Sequence, residues 1–413
     1  MLVLKTRVFA LLLLLCGLLS AQSNLRVLSV SPAPLRHNVS VSSIVHATFS
    51  MPLDPATIQD DAMMVYSHKR GRVSGIITFD SSSATLTFAP DQPFLATERI
   101  TALLSRTLMT RNGQKLHNGY AWQFDIQSSK GSNNFQALTL FTGKENSSAV
   151  AADFNGDGHT DIAVAEIAGD RFYIELADVQ NRRFEPFARL EISHQGRPLY
   201  AADVDANGRP DLIALNRTGS VASIVLVDSS GALRVSQVLN MPDPSLSPRS
   251  AALPDLNGDG YLDLVIFCRI TGSANRPAIL LYLNDGKGTF GVSGGPHNSV
   301  YKFGKGENIF ARDLNLDGLL DICYSQQGGA EAIGYFLNPG DIAEFPTTPR
   351  AITSANGDLE SSLAADFNGD GLPDIAAADI NGTAVMVFAE QSVQAGLPVF
   401  STALSSPATA ATF

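Results

Sequence analysis

The sequence predicts an all-β protein in which a β-sandwich precedes an array of repeated β-sheets. Three observations support this. In the first third of the chain, apolar and polar residues alternate in short segments bounded by Pro and Gly turns. Beyond it, a nine-residue aspartate-rich segment recurs roughly every 50 residues. A short run rich in apolar and β-branched residues follows each copy, as expected for a strand. With 413 residues the chain is long enough for more than one core.

Residues 1–23 are predicted to be a secretory signal peptide. Lys5 and Arg7 precede the apolar run VFALLLLLCGLL, and Ala21-Gln22-Ser23 supplies small residues for cleavage. A lipid anchor on Cys16 is the alternative, but Leu15 stands where a small residue is expected. We therefore expect a secreted or cell-surface protein, since no later apolar run is long enough to span a membrane.

Residues 24–127 are predicted to form a sandwich of seven to eight strands. Alternation in VHATFS and TLTFAP, with Pro and Gly turns between, indicates this fold. The opening Ser-Pro-Ala, the phrase TFSMPLDPATI and the terminal Trp122-x-Phe124 resemble the bacterial Ig-like domains of the S-layer (SbsA) type. The resemblance implies a spacer or adhesive module. The basic cluster at 68–72 (HKRGR) is expected to be a solvated turn.

Residues 128–134 read as a polar linker, and residues 135–413 hold five copies of the repeated segment. The copies, here called loops 1 to 5, span 153–161, 203–211, 255–263, 313–321 and 366–374. Oxygen-bearing side chains occupy positions 1, 3, 5 and 9 of each loop, and Gly occupies position 6. These side chains are Asp153, Asn155, Asp157 and Asp161; Asp203, Asp205, Asn207 and Asp211; Asp255, Asn257, Asp259 and Asp263; Asp313, Asn315, Asp317 and Asp321; and Asp366, Asn368, Asp370 and Asp374.

This pattern predicts a calcium site in each loop. Alternate positions of a tight loop direct their side chains toward one centre, and Gly permits the left-handed residue that closes the turn. Hard oxygen ligands suit Ca²⁺, whereas Zn²⁺ prefers His or Cys. An EF-hand would need Glu at position 12, where these loops have Val164, Ala214, Ile266, Tyr324 and Ala377. Metal-free Asx-Gly turns are the remaining alternative, although three aspartates crowded into each loop repel one another.

The loops resemble the FG-GAP/VCBS repeats of integrin-like β-propellers, and YLNDGKGTFG at 282–291 resembles the hairpin between the third and fourth strands of such a blade. The resemblance implies blades of four antiparallel strands, in which the calcium loop joins strands one and two. It also implies a fifth ligand, the backbone carbonyl at position 7. In loop 2, Asp205 and Asn207 exchange the usual amide and acid. The residues at position 7 are His159, Arg209, Tyr261, Leu319 and Leu372.

The end of the chain predicts a further repeat. ATAATF at 408–413 has the composition of the strand that leads into each loop, so we expect the chain to stop just before another calcium loop. The resemblance then implies a ring of six or seven blades, of which five are visible. A five-bladed ring with a loose tail is the alternative.

Binding rather than catalysis is the function that the sequence favours. GVSGG at 291–295 matches the G-x-S-x-G pattern, but no helix is predicted after Ser293. Two long loops after the third calcium loop offer a possible ligand patch of Arg269, Arg276, Tyr301 and Lys302. We expect a calcium-stabilised adhesion or ligand-binding module for an extracellular protein or glycan. A polysaccharide lyase or hydrolase and a purely structural spacer are the alternatives.

The charge and the cysteine content of the chain limit which partners and which disulfide bonds are expected. The net charge of −11 argues against nucleic acid. Beyond Cys16 only Cys268 and Cys323 remain, both within apolar segments, so they are predicted to be buried free thiols and not a disulfide scaffold. We expect calcium to raise the unfolding temperature of the repeats and to leave that of the Ig-like domain unchanged.

Overall fold

The computed structural model describes residues 24–128, 146–166, 171–181, 183–192, 198–270, 277–291, 308–325, 331–353, 359–379, 384–401 and 404–407. Within these ranges all regular structure is β, apart from single 3-10 turns at Pro55–Thr57 and Ile342–Glu344. No helix of the described part is long and apolar enough to cross a membrane. The predicted all-β class is confirmed.

The N-terminal domain is a sandwich of two four-stranded antiparallel sheets. Their orders are β1-β2-β6-β5 and β4-β3-β7-β8, which confirms the predicted strand number. The strands are β1 (Val27–Ser31), β2 (Val45–Phe49), β3 (Met63–Ser67), β4 (Gly71–Arg72), β5 (Gly75–Asp80), β6 (Thr85–Pro90), β7 (Arg99–Leu104) and β8 (Tyr120–Asp125).

Alternation along the strands builds the sandwich core. In β2, Val45, Ala47 and Phe49 are buried, and the residues between them are half-exposed. Trp122 of β8 lies in the same core, and its indole N–H donates to the Pro32 carbonyl at 3.0 Å. That bond satisfies the one polar atom of a buried tryptophan.

The second sheet of the sandwich is covered on both faces. All five residues of β3 are buried. Met63 and Val65 pack into the sandwich core, whereas Met64 and Tyr66 pack against Leu262 and other residues of the repeats. The outer face of this sheet is therefore an intramolecular interface.

Five four-stranded antiparallel sheets follow, one for each predicted repeat, here called sheets 1 to 5. In each, consecutive strands are hydrogen-bonded neighbours, except that a hairpin is inserted before the last strand of sheet 5. The strands are β9 (Asn146–Ala152), β10 (Asp161–Glu166), β11 (Arg171–Asp178) and β12 (Arg183–Glu191); β13 (Leu199–Ala202), β14 (Asp211–Asn216), β15 (Val221–Val227) and β16 (Leu233–Asn240); β17 (Leu246–Ala252), β18 (Leu264–Ile270), β19 (Pro277–Asn284) and β20 (Phe290–Gly291); β21 (Ile309–Arg312), β22 (Asp321–Ser325), β23 (Glu331–Phe336) and β24 (Arg350–Thr353); and β25 (Leu359–Ala365), β26 (Asp374–Asp379), β27 (Ala384–Phe388), the hairpin β28 (Glu390–Gln394) and β29 (Leu397–Phe400), and β30 (Leu404–Pro407).

The apolar cores of the repeats lie between consecutive sheets. One cluster joins sheets 1 and 2, another joins 2 and 3, a third joins 3 and 4, and a fourth joins 4 and 5. Strands covered on both sides read as continuous apolar runs, and β14 is buried at every residue. Small residues of the first strands, such as Ala201 and Ala251, allow a close approach between sheets: β9 lies beside β13, β17 beside β21 and β21 beside β25, whereas β17 contacts β14 and β15 of sheet 2.

The structure agrees with the four antiparallel strands expected for each repeat, with a loop that joins strands one and two, and with the hairpin expected at 282–291. Cys268 and Cys323 are buried and free, as expected. The hairpin β28–β29 was not predicted. Residues 408–413, on which the prediction of a further repeat depends, lie outside the described ranges.

Candidate metal centre

Each loop connects the first two strands of its sheet, and the aspartate at position 1 organises the turn. In loop 1, Asp153 Oδ1 accepts the Gly156 N–H at 2.7 Å and Oδ2 accepts the Gly158 N–H at 2.8 Å. In loop 3, Asp255 accepts the N–H groups of Gly258 and Gly260 at 2.7 and 2.8 Å. The carboxylate thus draws the backbone into a concave shape.

Two residues of each loop adopt the left-handed conformation, not only the Gly at position 6. Position 4 has a positive φ as well, 76° at Gly156 and 71° at Gly258. Ala206 and Leu316 occupy position 4 of loops 2 and 4 with φ of 58°. A non-Gly residue in this region carries a conformational cost, which the hydrogen bonds of the surrounding loop offset.

The aspartate at position 9 ties the loop to the third strand of its sheet. Asp161 Oδ2 accepts the Phe154 N–H at 2.9 Å, and Oδ1 accepts the Ala177 N–H at 2.9 Å. The equivalent aspartates make the same pair of bonds, and all five are at most 1% exposed. Those equivalents are Asp211, Asp263, Asp321 and Asp374.

The side chains at positions 3 and 5 are hydrogen-bonded to each other in four of the loops. In loop 1, Asn155 Oδ1 accepts the Asp157 N–H at 3.0 Å, and the Asn155 amide donates to Asp157 Oδ2 at 2.9 Å. Loops 3, 4 and 5 repeat the amide–carboxylate contact. At position 7 the exposed His159 contributes its backbone N–H to Asp157 Oδ1 at 2.8 Å.

Loop 2 differs, and its three carboxylates converge. Asp203, Asp205 and Asp211 each place one oxygen within 4.8 Å of the others, and no other group of three metal-ligating side chains in the described ranges does so. The cause is the exchange of acid and amide. The Asn207 amide donates to the Val227 carbonyl at 3.0 Å, so it does not engage the Asp205 carboxylate.

Burial makes the loop carboxylates unfavourable in their charged form. Removal from water raises the pKa of Asp161 and Asp203 to about 6, that of Asp255 and Asp313 to about 7, and that of Asp211 to about 8. Neighbouring carboxylates of the same loop act in the same direction. Backbone N–H groups favour the charged form but do not cancel the effect. A cation bound among these oxygens would cancel it.

The N-terminal domain is docked on the loops. The Lys69 carbonyl accepts the Asp153 N–H at 2.7 Å, and the Arg72 N–H donates to Asp203 Oδ2 at 2.7 Å. A Cβ atom added at Gly71 would lie 2.4 Å from the Asp203 Cβ. The prediction that the basic cluster is a solvated turn is wrong, because its backbone packs against loops 1 and 2.

The same domain also reaches loops 3 and 4. Arg106 donates its backbone N–H to the Gly258 carbonyl at 3.0 Å, and its guanidinium donates to the Asn257 carbonyl at 3.2 Å. The Ala121 N–H donates to the Gly318 carbonyl. Four loops therefore contact one face of a single domain.

A cavity of 310 Å³ lies between the docked domain and the first strands of the repeat sheets. Its lining combines small and apolar residues of those strands with Tyr66, Arg99 and Gln123 of the domain. Asp203 is the one carboxylate in this lining, and its Oδ2 already accepts the Arg72 N–H.

The other predicted site residues fall mostly outside the described ranges. Arg269 is half-buried near the end of β18, opposite Ser247 of β17. Arg276, Tyr301, Lys302 and Ser293 are not among the described residues. At position 7 of loop 2 the side chain has a different role. Arg209 donates to the Phe154 carbonyl of loop 1 at 3.1 Å.

Comparisons with known families match both parts of the chain. Residues 21–126 match the model of a bacterial Ig-like domain. The segments 153–214, 203–266, 255–324 and 313–377 match an FG-GAP-like repeat, and together they span more than half of the 413 residues. No curated protein sequence matches the chain.

Similar solved structures are distant. A protein from Lactobacillus plantarum has 13% identity and a TM-score of 0.44 over 83% of this chain and 95% of its own. A protein of unknown function from Bacteroides thetaiotaomicron has 11% identity and a TM-score of 0.32 over 92% and 87%. The N-terminal part of the bacterial S-layer protein SbsC has 13% identity and a TM-score of 0.21 over 54% and 45%. These values are too low to support an argument about function. The repeat matches, with the loop geometry that recurs in all five sheets, establish that the chain belongs to the FG-GAP-like repeat family and carries a bacterial Ig-like domain before its repeats.

Proposed function

We propose that each of the five loops binds one calcium ion and that this ion is structural. The convergence of Asp203, Asp205 and Asp211 is the observation that carries the proposal. Three carboxylates at this distance, two of them buried and that of Asp205 half-buried, repel one another, and a divalent cation bound by oxygen ligands would remove the repulsion. In the other loops, the Asn amide at position 3 would turn its oxygen toward the ion. The position 7 carbonyl would complete the ligand set.

We further propose that the repeat sheets are blades of a β-propeller. Two features support a curved array. The first strands lie side by side in three of the four pairs of consecutive sheets, and in the remaining pair β17 contacts β14 and β15. One small domain touches loops 1 to 4. Such contacts require that the loops face a common area.

The proposed role is extracellular or cell-surface binding of a protein or glycan. Ig-like domains and FG-GAP-like repeats are typical of such proteins, and the docked domain covers the calcium-loop face. The ligand surface is then assigned to the opposite face, formed by the connections between the second and third strands. Arg269 lies near the end of β18, and Arg276 belongs in the sequence to the segment between β18 and β19. Tyr301 and Lys302 lie between sheets 3 and 4 in the sequence.

Binding is proposed in preference to catalysis because of how the carboxylates are distributed. A glycosidase needs two carboxylates that face the same substrate. The cavity under the docked domain has only Asp203 in its lining, and the other concentrated carboxylates belong to the loops. A polysaccharide lyase or hydrolase remains the competing function, and turnover of any glycan in a polysaccharide panel would favour it.

Calcium binding is tested by counting ions per chain after equilibrium dialysis of the chelator-treated protein into calcium. We expect Asp211→Asn to reduce the count by one. Asp228→Asn is the matched control, because Asp228 belongs to the same sheet but lies exposed in a hairpin turn, bonded to Ser230. An unchanged count in Asp211→Asn would contradict the proposal. Absence of binding to glycans and matrix proteins in calcium would favour a structural spacer.

A further inference from the structure

Glu390 is a buried carboxylate without a hydrogen-bond partner. It is 1% exposed, and neither Oε1 nor Oε2 has a partner among the described residues. An isolated buried carboxylate is among the most costly groups that a protein can contain. Its position therefore calls for a proton or a cation that the neighbouring residues do not supply.

Equivalent residues in the other sheets define where the Glu390 side chain lies. Its backbone N–H donates to Asp374 Oδ1 at 2.9 Å. Asn284 and Asn338 make the same backbone bond to the position 9 aspartates of sheets 3 and 4, at 2.9 and 2.8 Å. These three residues therefore occupy equivalent places at the end of the third strand or within two residues of it.

The two asparagines bridge consecutive sheets through their amides. The Asn284 Nδ2 donates to the Val204 carbonyl at 2.7 Å and to the Leu262 carbonyl at 2.9 Å. The Asn338 Nδ2 donates to the Leu256 carbonyl at 3.2 Å. Val204 and Leu256 are at position 2 of the preceding loop, so each amide joins its own sheet to the one before it.

Sheet 5 has a carboxylate where the other two sheets have an amide donor. The carbonyls that correspond to those of Val204 and Leu262 belong to Leu314 and Pro373. A carboxylate and two carbonyls are all acceptors, so they cannot bond to one another without a proton or a cation between them.

We propose that Glu390 binds a divalent cation at the junction of sheets 4 and 5, additional to the ions in the loops. The available ligands are oxygens from a carboxylate and from backbone carbonyls, the set that Ca²⁺ accepts. This cation would replace the amide bridge of the earlier sheets with an ionic one. The site does not depend on calcium binding in the loops.

The test is a count of calcium ions bound per chain for Glu390→Gln, against Glu344→Gln. The control removes the same charge at an exposed position beside sheet 4. We expect Glu390→Gln to bind one ion fewer than both the wild type and the control. An unchanged count would overturn the proposal and identify Glu390 as a protonated carboxyl that donates to a carbonyl.

Thermal unfolding of the same variants provides a second test, which applies even if the substitution of Glu390 changes the stability of the protein. In chelator, Glu390→Gln is expected to be at least as stable as the wild type, because its amide supplies the missing donor. In calcium, the wild type is expected to be the more stable protein. Lower stability of Glu390→Gln in both conditions would contradict the proposal. The calcium proposal for the loops is tested separately by Asp211→Asn. If the loops do not bind calcium, Asp211→Asn leaves the number of bound ions unchanged, whatever the result for Glu390→Gln.

Discussion

The docking of the Ig-like domain on loop 2 predicts a specific cost for Gly71→Ala. Gly71 has a φ of 73°, and an added Cβ would lie 2.4 Å from Asp203 Cβ and 2.7 Å from its Oδ2. Asp203 is fixed by its own bonds to Asn207 and Gly208 and cannot yield freely. The methyl group must therefore separate the two domains at this point and break the Arg72 N–H bond to Asp203.

The magnitude follows from two contributions. A non-Gly residue in the left-handed region costs roughly 1–2 kcal/mol, and a hydrogen bond to a charged group contributes about 1.5–3 kcal/mol. Gly113→Ala carries only the first contribution, so the difference between the two variants measures the second. Its φ is 79° and nothing lies within 4 Å of the added atom. We expect Gly71→Ala to lower the free energy of unfolding by about 1.5–3 kcal/mol more than Gly113→Ala does.

The assay is urea unfolding in calcium, followed by the fluorescence of Trp122. This is the only tryptophan of the chain, and it is buried in the Ig-like domain. Far-ultraviolet circular dichroism monitors both domains in the same samples. Equal losses of stability in the two variants would show that the domains do not dock through this contact.

Three further predictions concern the interface and the loops. Leu262→Ala removes a side chain that packs on Met64 and Tyr66, so it should lower the free energy of unfolding in urea by about 2 kcal/mol. Leu363 is 54% exposed, and Leu363→Ala should change the stability very little. Equal losses in the two variants would contradict the packing. Asp161→Asn should lower the melting temperature more in calcium than in chelator, because it removes a calcium ligand in addition to one of the two N–H bonds that the carboxylate accepts from Phe154 and Ala177; a loss of the same size in both conditions would rule out a metal ligand. In chelator, the free energy of unfolding should fall as the pH rises from 4 to 8, because the folded state favours the protonated carboxyls of Asp211 and Asp255, whose pKa values are raised to about 8 and 7. In calcium, which displaces those protons, this fall should disappear. Identical pH profiles in the two conditions would argue against calcium binding.

The repeats could be predicted from the sequence because the patterns that indicate them lie within short segments. The five loops and the strand that follows each of them are predicted by spacing and composition, whereas the hairpin at 282–291 was predicted by the resemblance to FG-GAP/VCBS repeats. The left-handed residue at position 4 could also have been read, since three of the five loops have Gly there. Leu316 and Ala206 conceal the requirement in the other two.

The docked domain could not be predicted from local patterns. Met64 and Tyr66 face loops that lie almost 200 residues away in the chain, and Tyr66 donates its hydroxyl to the Gly260 carbonyl at 3.2 Å. The continuous apolar run MMVYS at Met63–Ser67 was the available signal, since a strand covered on both faces loses its alternation. The polar linker favoured independent domains, and a linker sequence carries no information about contacts elsewhere.

Docking changes what calcium should do to the Ig-like domain. The sequence alone led us to expect that its unfolding temperature would not respond to calcium. Asp203 Oδ2 accepts the Arg72 N–H, and the Lys69 carbonyl accepts the Asp153 N–H. An ion that orders loops 1 and 2 therefore also orders the surface on which the domain lies. We now expect the two domains to respond together.

Thermal unfolding of residues 24–413, in millimolar calcium and then in chelator, tests the central claim most directly. A site bound at a hundred times its Kd contributes about 2.7 kcal/mol to the folded state, so several loops together should raise the melting temperature by many degrees. We predict that the circular dichroism transition and the Trp122 transition both rise with calcium. If calcium leaves both transitions unmoved, the loops are metal-free turns and the account is wrong.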